Sequence, residues 1–236
     1  MDAARRMSRL GLVASTWGNV SARVPATALA VITPSGVEYE ALDEGMLCVV
    51  NVSTGALVDG LLRPSSELPM HLAIYRARED VGGIVHTHSV YATAHSVLRV
   101  ALPPIVEDLA QAVGGPVECA EHARAGTKDL ADAVVRGLGD RGAVLMASHG
   151  LVGVGRAVDD ALRVCLVVEQ GARIYSAARA LGEPVSLPPG EVHTLHREYQ
   201  ASYGQRSQQS RCPAGMATEG PSLIGGGARA SGAKPS

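Results

Sequence analysis

Three of the eight histidines in this chain fall where imidazoles can act together. His86 and His88 flank Thr87 at the end of the apolar run that starts at Ile84, and this run reads as a strand. Residues two apart on a strand point to the same face, so both rings project into one site. His149 ends a second apolar strand, from Ala143 to Ser148, and Gly150 after it permits a sharp turn. Three imidazoles with an open fourth position are what a catalytic zinc needs, and such an ion acts as a Lewis acid. A lone H-x-H pair more often marks structural histidines. The third histidine at a strand end, together with a nearby acidic motif, turns the reading toward a metal centre. His71, His95, His122, His193 and His196 read as core or surface residues.

The acidic motif is Pro64-Ser65-Ser66-Glu67, which opens a helix predicted from Ser66 to Arg78. Ser65 or Ser66 is the expected N-cap, Pro69 lies in the first turn, and Leu68, Leu72 and Tyr75 share a face. Backbone N–H groups and two hydroxyls at a helix start also make a phosphate site, and Glu67 then stands one residue away, able to face a metal as a base. Two glycine turns extend the cradle: Thr16-Trp17-Gly18-Asn19-Val20-Ser21 and Thr33-Pro34-Ser35-Gly36. Apart from Arg63 these segments hold no Lys or Arg, so the donors are neutral, as in backbone nests.

The elements that must carry these residues follow from apolar periodicity and turn signals. Strands are predicted at Leu29–Thr33 and Leu47–Val52. The second of these turns through Ser53-Thr54-Gly55 into Ala56–Val58 as a hairpin. After Gly82-Gly83 come the His86 strand and a helix through about Leu98. A short strand at Pro116–Ala120 and a helix at Thr127–Leu138 precede the His149 strand. Val158–Leu181 is a long helix stopped by Gly182, with Pro184 beyond it, and Glu191 to about Ser202 is the last. Residues 1–205 form one domain by this reading. Gly, Ser, Pro, Gln and Ala dominate residues 206–236, which read as a disordered tail.

Composition narrows the function classes. The chain has 236 residues, 46% hydrophobic and 19% charged, enough for one sizeable core. A net charge of -2 offers no basic field, which argues against nucleic acid as a partner. No apolar run approaches the length of a membrane span, and the N-terminus lacks an apolar signal region. Cys48, Cys119, Cys165 and Cys212 form no C-x-x-C pair, which points to a reducing, cytoplasmic setting.

Five segments resemble the class II aldolase/adducin family in order and spacing: Thr16–Arg23, Ile32–Gly36, Arg63–Glu67, Val85–Ser89 and Ser148–Gly150. The resemblance covers roughly residues 7–203. It implies a three-layer α/β/α sandwich with a mostly antiparallel central sheet, assembled as a homotetramer with sites at subunit interfaces. It implies that His86, His88 and His149 bind Zn2+, and that Gly18, Asn19, Ser35, Gly36, Ser65 and Ser66 hold a substrate phosphate. It also implies a longer first helix than the residues before Arg9 supply.

Within the family, aldolase members carry Glu at the position of Glu67 and pentulose 5-phosphate 4-epimerases carry Asp. Thr16-Trp17-Gly18-Asn19, Tyr203-Gly204-Gln205 and the acidic Glu107-Asp108 are nearer to the epimerases. In both groups a C-terminal tyrosine reaches the site, which makes Tyr203 its candidate here. Asp108 lies where aldolases place a tyrosine acid from a neighbouring subunit.

The expected reaction is reversible cleavage of a ketose 1-phosphate, like L-fuculose 1-phosphate, to dihydroxyacetone phosphate and a short aldehyde. Glu67 would carry the proton at the dihydroxyacetone phosphate carbon, and Tyr203 or Asp108 the proton at the aldehyde oxygen. The alternatives are 4-epimerisation, dehydration of a ketose 1-phosphate, and a metal-free structural domain of the adducin kind. The intact histidine set argues against the last.

Overall fold

A computed structural model describes residues 1–209. Its centre is one eight-stranded sheet built from β1 (Asn19–Arg23), β2 (Leu29–Ile32), β3 (Cys48–Asn51), β4 (Leu57–Asp59), β5 (Gly83–Thr87), β6 (Glu118–Ala120), β7 (Ala143–Met146) and β8 (Gly150–Gly155). The strand order is β4-β3-β2-β1-β5-β8-β7-β6. Every neighbouring pair is antiparallel except β6 with β7. Seven helices accompany the sheet: α1 (Asp2–Arg9), α2 (Leu68–Ala77), α3 (Val90–Leu98), α4 (Glu107–Val113), α5 (Lys128–Leu138), α6 (Val158–Leu181) and α7 (Pro189–Gln209). Two apolar clusters, one on each sheet face, complete the three layers.

The alternation of strand side chains sorts residues between these clusters. Ile84, Val144 and Val152 pack with Ile74 of α2 and Leu130 and Val134 of α5. Val85, Leu145 and Leu151 pack on the opposite face with Leu162 and Val168 of α6 and Leu109 of α4. His86 has the parity of Ile84 and therefore lies on the α2 face. The central strands are buried on both faces, which explains their near-continuous apolar runs.

Local signals set the helix ends. Thr127 caps α5, its side chain accepting from the Leu130 N–H. In α6 the Asp160 carboxylate accepts from the Ala157 N–H at 3.2 Å. The expected serine cap of α2 is not found. Glu67 takes the N-cap position without a side-chain cap bond, and the Ser65 hydroxyl accepts from the Glu67 N–H at 3.3 Å.

Several elements differ from expectation. The Gly18–Ser21 segment enters a central strand, β1, instead of remaining a turn. Residues after His149 form β8, and Glu107–Val113 is helical. His149 itself is the last residue of the β7–β8 turn, not the end of a strand. The last helix is longer than expected and continues to Gln209. Residues 210–236, most of the predicted tail, lie outside the described residues, as does the side chain of Tyr203. Among the described residues no helix is long and apolar enough to cross a membrane.

Candidate metal centre

The β1–β5 register brings Asn19 opposite His86, and the β5–β8 register brings Thr87 opposite Leu151. His86 thus sits at the end of a central strand, fully buried, with His88 one step past that end. The His88 N–H is held by the Leu12 carbonyl at 3.0 Å. The chain then enters α3, whose first free N–H groups are capped from α6. Glu169 accepts from Tyr91 at 3.0 Å and from Ala92 at 2.9 Å. His149 enters from the neighbouring hairpin. Its turn places Ser148 at φ 56, and a Cβ on Gly150 would stand 2.3 Å from the Thr87 carbonyl oxygen. Only glycine lets β8 start this close to β5.

The three rings meet as the sequence spacing predicts. Their centroids are 4.8, 4.9 and 5.0 Å apart, and one ligand atom from each lies within 4.8 Å of the others. His86 Nδ1 lies 2.9 Å from the Leu151 carbonyl, which can only accept. Nδ1 therefore carries a proton, and Nε2 faces the centre, where burial acts to lower the ring's pKa but the Glu67 carboxylate outweighs that and raises it. Burial, and then the neighbouring rings His86 and His149, push His88 down to about 4. Burial and His86 likewise push His149 down. Both rings are neutral at pH 7 and offer lone pairs.

Glu67 closes the site. Its Oε2 lies 3.0 Å from His86 Nε2, and its Oε1 lies 3.5 Å from His149 Nε2. Burial acts to raise its pKa, but His86, His149 and the Asn19 amide outweigh that and hold the carboxyl well below the usual range. Buried Oε1 has no hydrogen-bond partner. Three imidazole nitrogens and a carboxylate oxygen that converge in this way are a donor set for a divalent cation. The residues present fit the metal that the histidine spacing implies.

The predicted cradle segments also come together. A bridge pairs Pro34 with Pro64, the Ser35 N–H donates to the Arg63 carbonyl at 2.9 Å, and the Ser65 N–H donates to the Thr33 carbonyl at 3.1 Å. The Thr33 hydroxyl accepts from the Val20 N–H at 3.1 Å, tying in β1. Ser35, Gly36 and Ser66 are exposed beside this junction, and Ser65 is buried. Gly18, at φ 126, lies against the His86 carbonyl, and a Cβ there would be 2.9 Å from that oxygen.

Asn19, expected among the phosphate donors, turns its side chain to other partners. Its side chain is buried, with Nδ2 donating to Glu67 Oε2 at 3.0 Å and Oδ1 lying 2.5 Å from His71 Nε2. The amide is committed to the carboxylate, not displayed among the exposed donors. Asp108 is exposed in the first turn of α4 and touches neither Glu67 nor the three histidines.

Two residues near the site were not singled out from sequence. Trp17 is 66% exposed, with its ring edge-on to His88 at 5.9 Å. His71, assigned to the core, is buried there but bonded through Asn19 to Glu67. The signal for it was its position four residues after Glu67, on the same helix face.

Known proteins resemble this chain over most of its length. The sequence profile of the class II aldolase and adducin N-terminal domain matches residues 1–176. A 5-deoxy-D-ribulose 1-phosphate aldolase from Bacillus thuringiensis is 39% identical over 86% of this chain and 93% of its own length. An L-ribulose-5-phosphate 4-epimerase from Salmonella paratyphi B is 32% identical over 86% of this chain and 92% of its own. The solved structure of an L-fuculose 1-phosphate aldolase superposes with a TM-score of 0.81 at 34% identity, covering 84% of this chain and 93% of that one.

Proposed function

Because the chain belongs to the class II aldolase and adducin family, a family of metal-dependent aldolases, we propose that it is a zinc-dependent aldolase. Its reaction is reversible cleavage of a ketose 1-phosphate to dihydroxyacetone phosphate and a short aldehyde. The observation that carries this reading is the meeting of three imidazole nitrogens with the anionic, partly unsatisfied carboxylate of Glu67. A divalent ion held by His86, His88 and His149 supplies positive charge against the electron pair that carbon–carbon cleavage leaves on the substrate. Three nitrogen ligands and an open position favour zinc as that ion.

The protein's own groups do the rest. Glu67, ionised and poised beside the histidines, takes a proton from the dihydroxyacetone phosphate carbon in the synthetic direction and returns it in cleavage. The exposed junction of Ser35, Gly36 and Ser66, with Gly18 and the buried Ser65 beside it, is the phosphate cradle, built from neutral donors. The Gly36 and Ser66 N–H groups have no protein acceptor among the described residues, which supports that assignment.

The proton on the aldehyde oxygen is assigned to Tyr203 or Asp108. Asp108 does not reach the site within its own chain, so its participation requires a second subunit. From the family resemblance we assign a homotetramer, with exposed Trp17, Val90, Val97 and Leu98 available to a subunit interface. A fully active monomer by light scattering is incompatible with shared sites. Free Cys48, Cys119 and Cys165 support a cytoplasmic location.

The test is Glu67→Gln, which keeps shape and removes charge. Release of dihydroxyacetone phosphate should fall by about 10²-fold or more. Unchanged turnover would remove Glu67 from the chemistry.

A further inference from the structure

Five polar side chains run in a line through the contact between β1 and α2, and no apolar packing requirement explains them. Asn19 and Ser21 point from one face of β1, and Glu67, His71 and Tyr75 follow at successive turns of α2. Asn19 is 4% exposed, Ser21 3%, and His71 and Tyr75 1% each. Burying polar groups is costly unless each is bonded, and these are. Ser21 Oγ lies 2.7 Å from His71 Nδ1 and 2.9 Å from the Tyr75 hydroxyl, and His71 Nε2 lies 2.5 Å from Asn19 Oδ1.

The carboxylate fixes the direction of every bond. Glu67 Oε2 is an acceptor, so the Asn19 amide must turn its Nδ2 toward it and its Oδ1 toward His71. Asn19 Oδ1 accepts only, so the His71 proton is on Nε2 and Nδ1 is a lone pair. Ser21 must then donate to His71, which leaves its oxygen to accept from Tyr75. All four bonds point one way, toward Glu67, and bonds arranged head to tail polarise one another.

We propose that Tyr75, Ser21, His71 and Asn19 form a one-way donor row that positions the Glu67 carboxylate, with His71 as the central positioning residue. The row donates to Oε2, which also faces His86 at 3.0 Å, and leaves Oε1, 3.5 Å from His149, without a hydrogen-bond partner. It thereby distinguishes the two oxygens of one carboxylate. The direction requires a neutral His71, and burial pushes that ring down to about 3. The functional meaning rests on Glu67 as the proton carrier. The positioning itself is measurable without a sugar substrate.

The experiment uses Co(II) as the probe, titrated by visible absorbance into full-length, metal-free protein. His71→Phe removes the central donor, and Ser21→Ala removes the next one should the larger change prevent folding. Each substitution should weaken Co(II) binding by about 10-fold, the scale of lost outer partners at metal sites. Each should also lower kcat for triose release with KM unchanged. In a Glu67→Gln background the same substitutions should change Co(II) affinity by less than about 2-fold, because the group they act through is altered. Equal losses with and without Glu67 overturn the assignment, because they report damage to the sheet. No loss in either background also overturns it. A protein inactive on every ketose 1-phosphate counts against the aldolase reading, while the Co(II) cycle still decides the row.

Discussion

Glu67 Oε2 and His86 Nε2 face each other at 3.0 Å, while His86 Nδ1 donates to the Leu151 carbonyl on the far side of the ring. A carboxylate oxygen and an imidazole nitrogen at that distance share either a proton or a cation. The relationship links the helix that starts at Glu67 to the strand that ends at His86, so both elements contribute to one candidate ion site.

Metal content is the first. Purified protein should hold one divalent ion per subunit, and His88→Ala should lose it while circular dichroism stays unchanged. His88 is only half-buried, so its removal spares the core. Elemental analysis that finds full occupancy in His88→Ala would break the ligand assignment.

Gly150→Ala tests how His149 is delivered. The added Cβ would meet the Thr87 carbonyl at 2.3 Å, and backbone on a central strand has little room to yield. We expect a loss of about 2 kcal/mol or more in unfolding free energy, with weakened metal binding. Denaturant unfolding near the parent midpoint would show that the strands can separate and that the hairpin is less constrained.

Asn19→Ala separates the two roles assigned to that residue. A pure phosphate donor would affect KM alone. With its amide on Glu67 and His71, the substitution should lower kcat by about 10-fold. A rise in KM at constant kcat would return Asn19 to the cradle.

His71 gives a pH dependence with a definite sign. Its folded pKa of about 3 lies below its ordinary 6.5. Above pH 6.5 both states are neutral and the residue contributes no pH dependence. As pH falls from 6.5 toward 3, the unfolded chain takes up a proton that the folded chain refuses, so stability falls. The contribution lost by pH 5 is on the order of 2 kcal/mol. Denaturant unfolding at pH 7.5 and pH 5 should show a smaller drop for His71→Phe than for the parent. Equal drops would mean that His71 charges in the folded state.

Much of the site was legible in the sequence because its parts are local. The two-residue spacing of His86 and His88 is a strand property, and the helix after Glu67 follows from Pro69 and the spacing of Leu68, Leu72 and Tyr75. What escaped notice depended on pairing between distant segments. Gly18–Ser21 looks like a turn because Gly18 and Asn19 are turn formers. It becomes a strand only because β2 and β5 flank it on both sides. β8 carries three glycines, at Gly150, Gly153 and Gly155, which weaken any strand signal. The latter two lie tight against α6, where a Cβ would stand 2.8 Å from the Ala161 carbonyl oxygen and 2.5 Å from Asp160 Cβ. His71 was read as core because its burial is real. Its partner Asn19 is 52 residues away, and only the β1–α2 contact brings the two together.

Net cleavage at a three-histidine centre has one direct rival among the relatives, epimerisation. A carboxylate that can protonate the carbon beside the centre releases triose, whereas an epimerase must withhold that proton until the aldehyde has turned and re-added. The direct measurement is a coupled assay for dihydroxyacetone phosphate, run on a panel of ketose 1-phosphates beside an assay for inversion of a pentulose 5-phosphate. We predict steady release of dihydroxyacetone phosphate, abolished by chelator and restored by Zn2+. Inversion of the pentulose phosphate with no released triose would contradict the account.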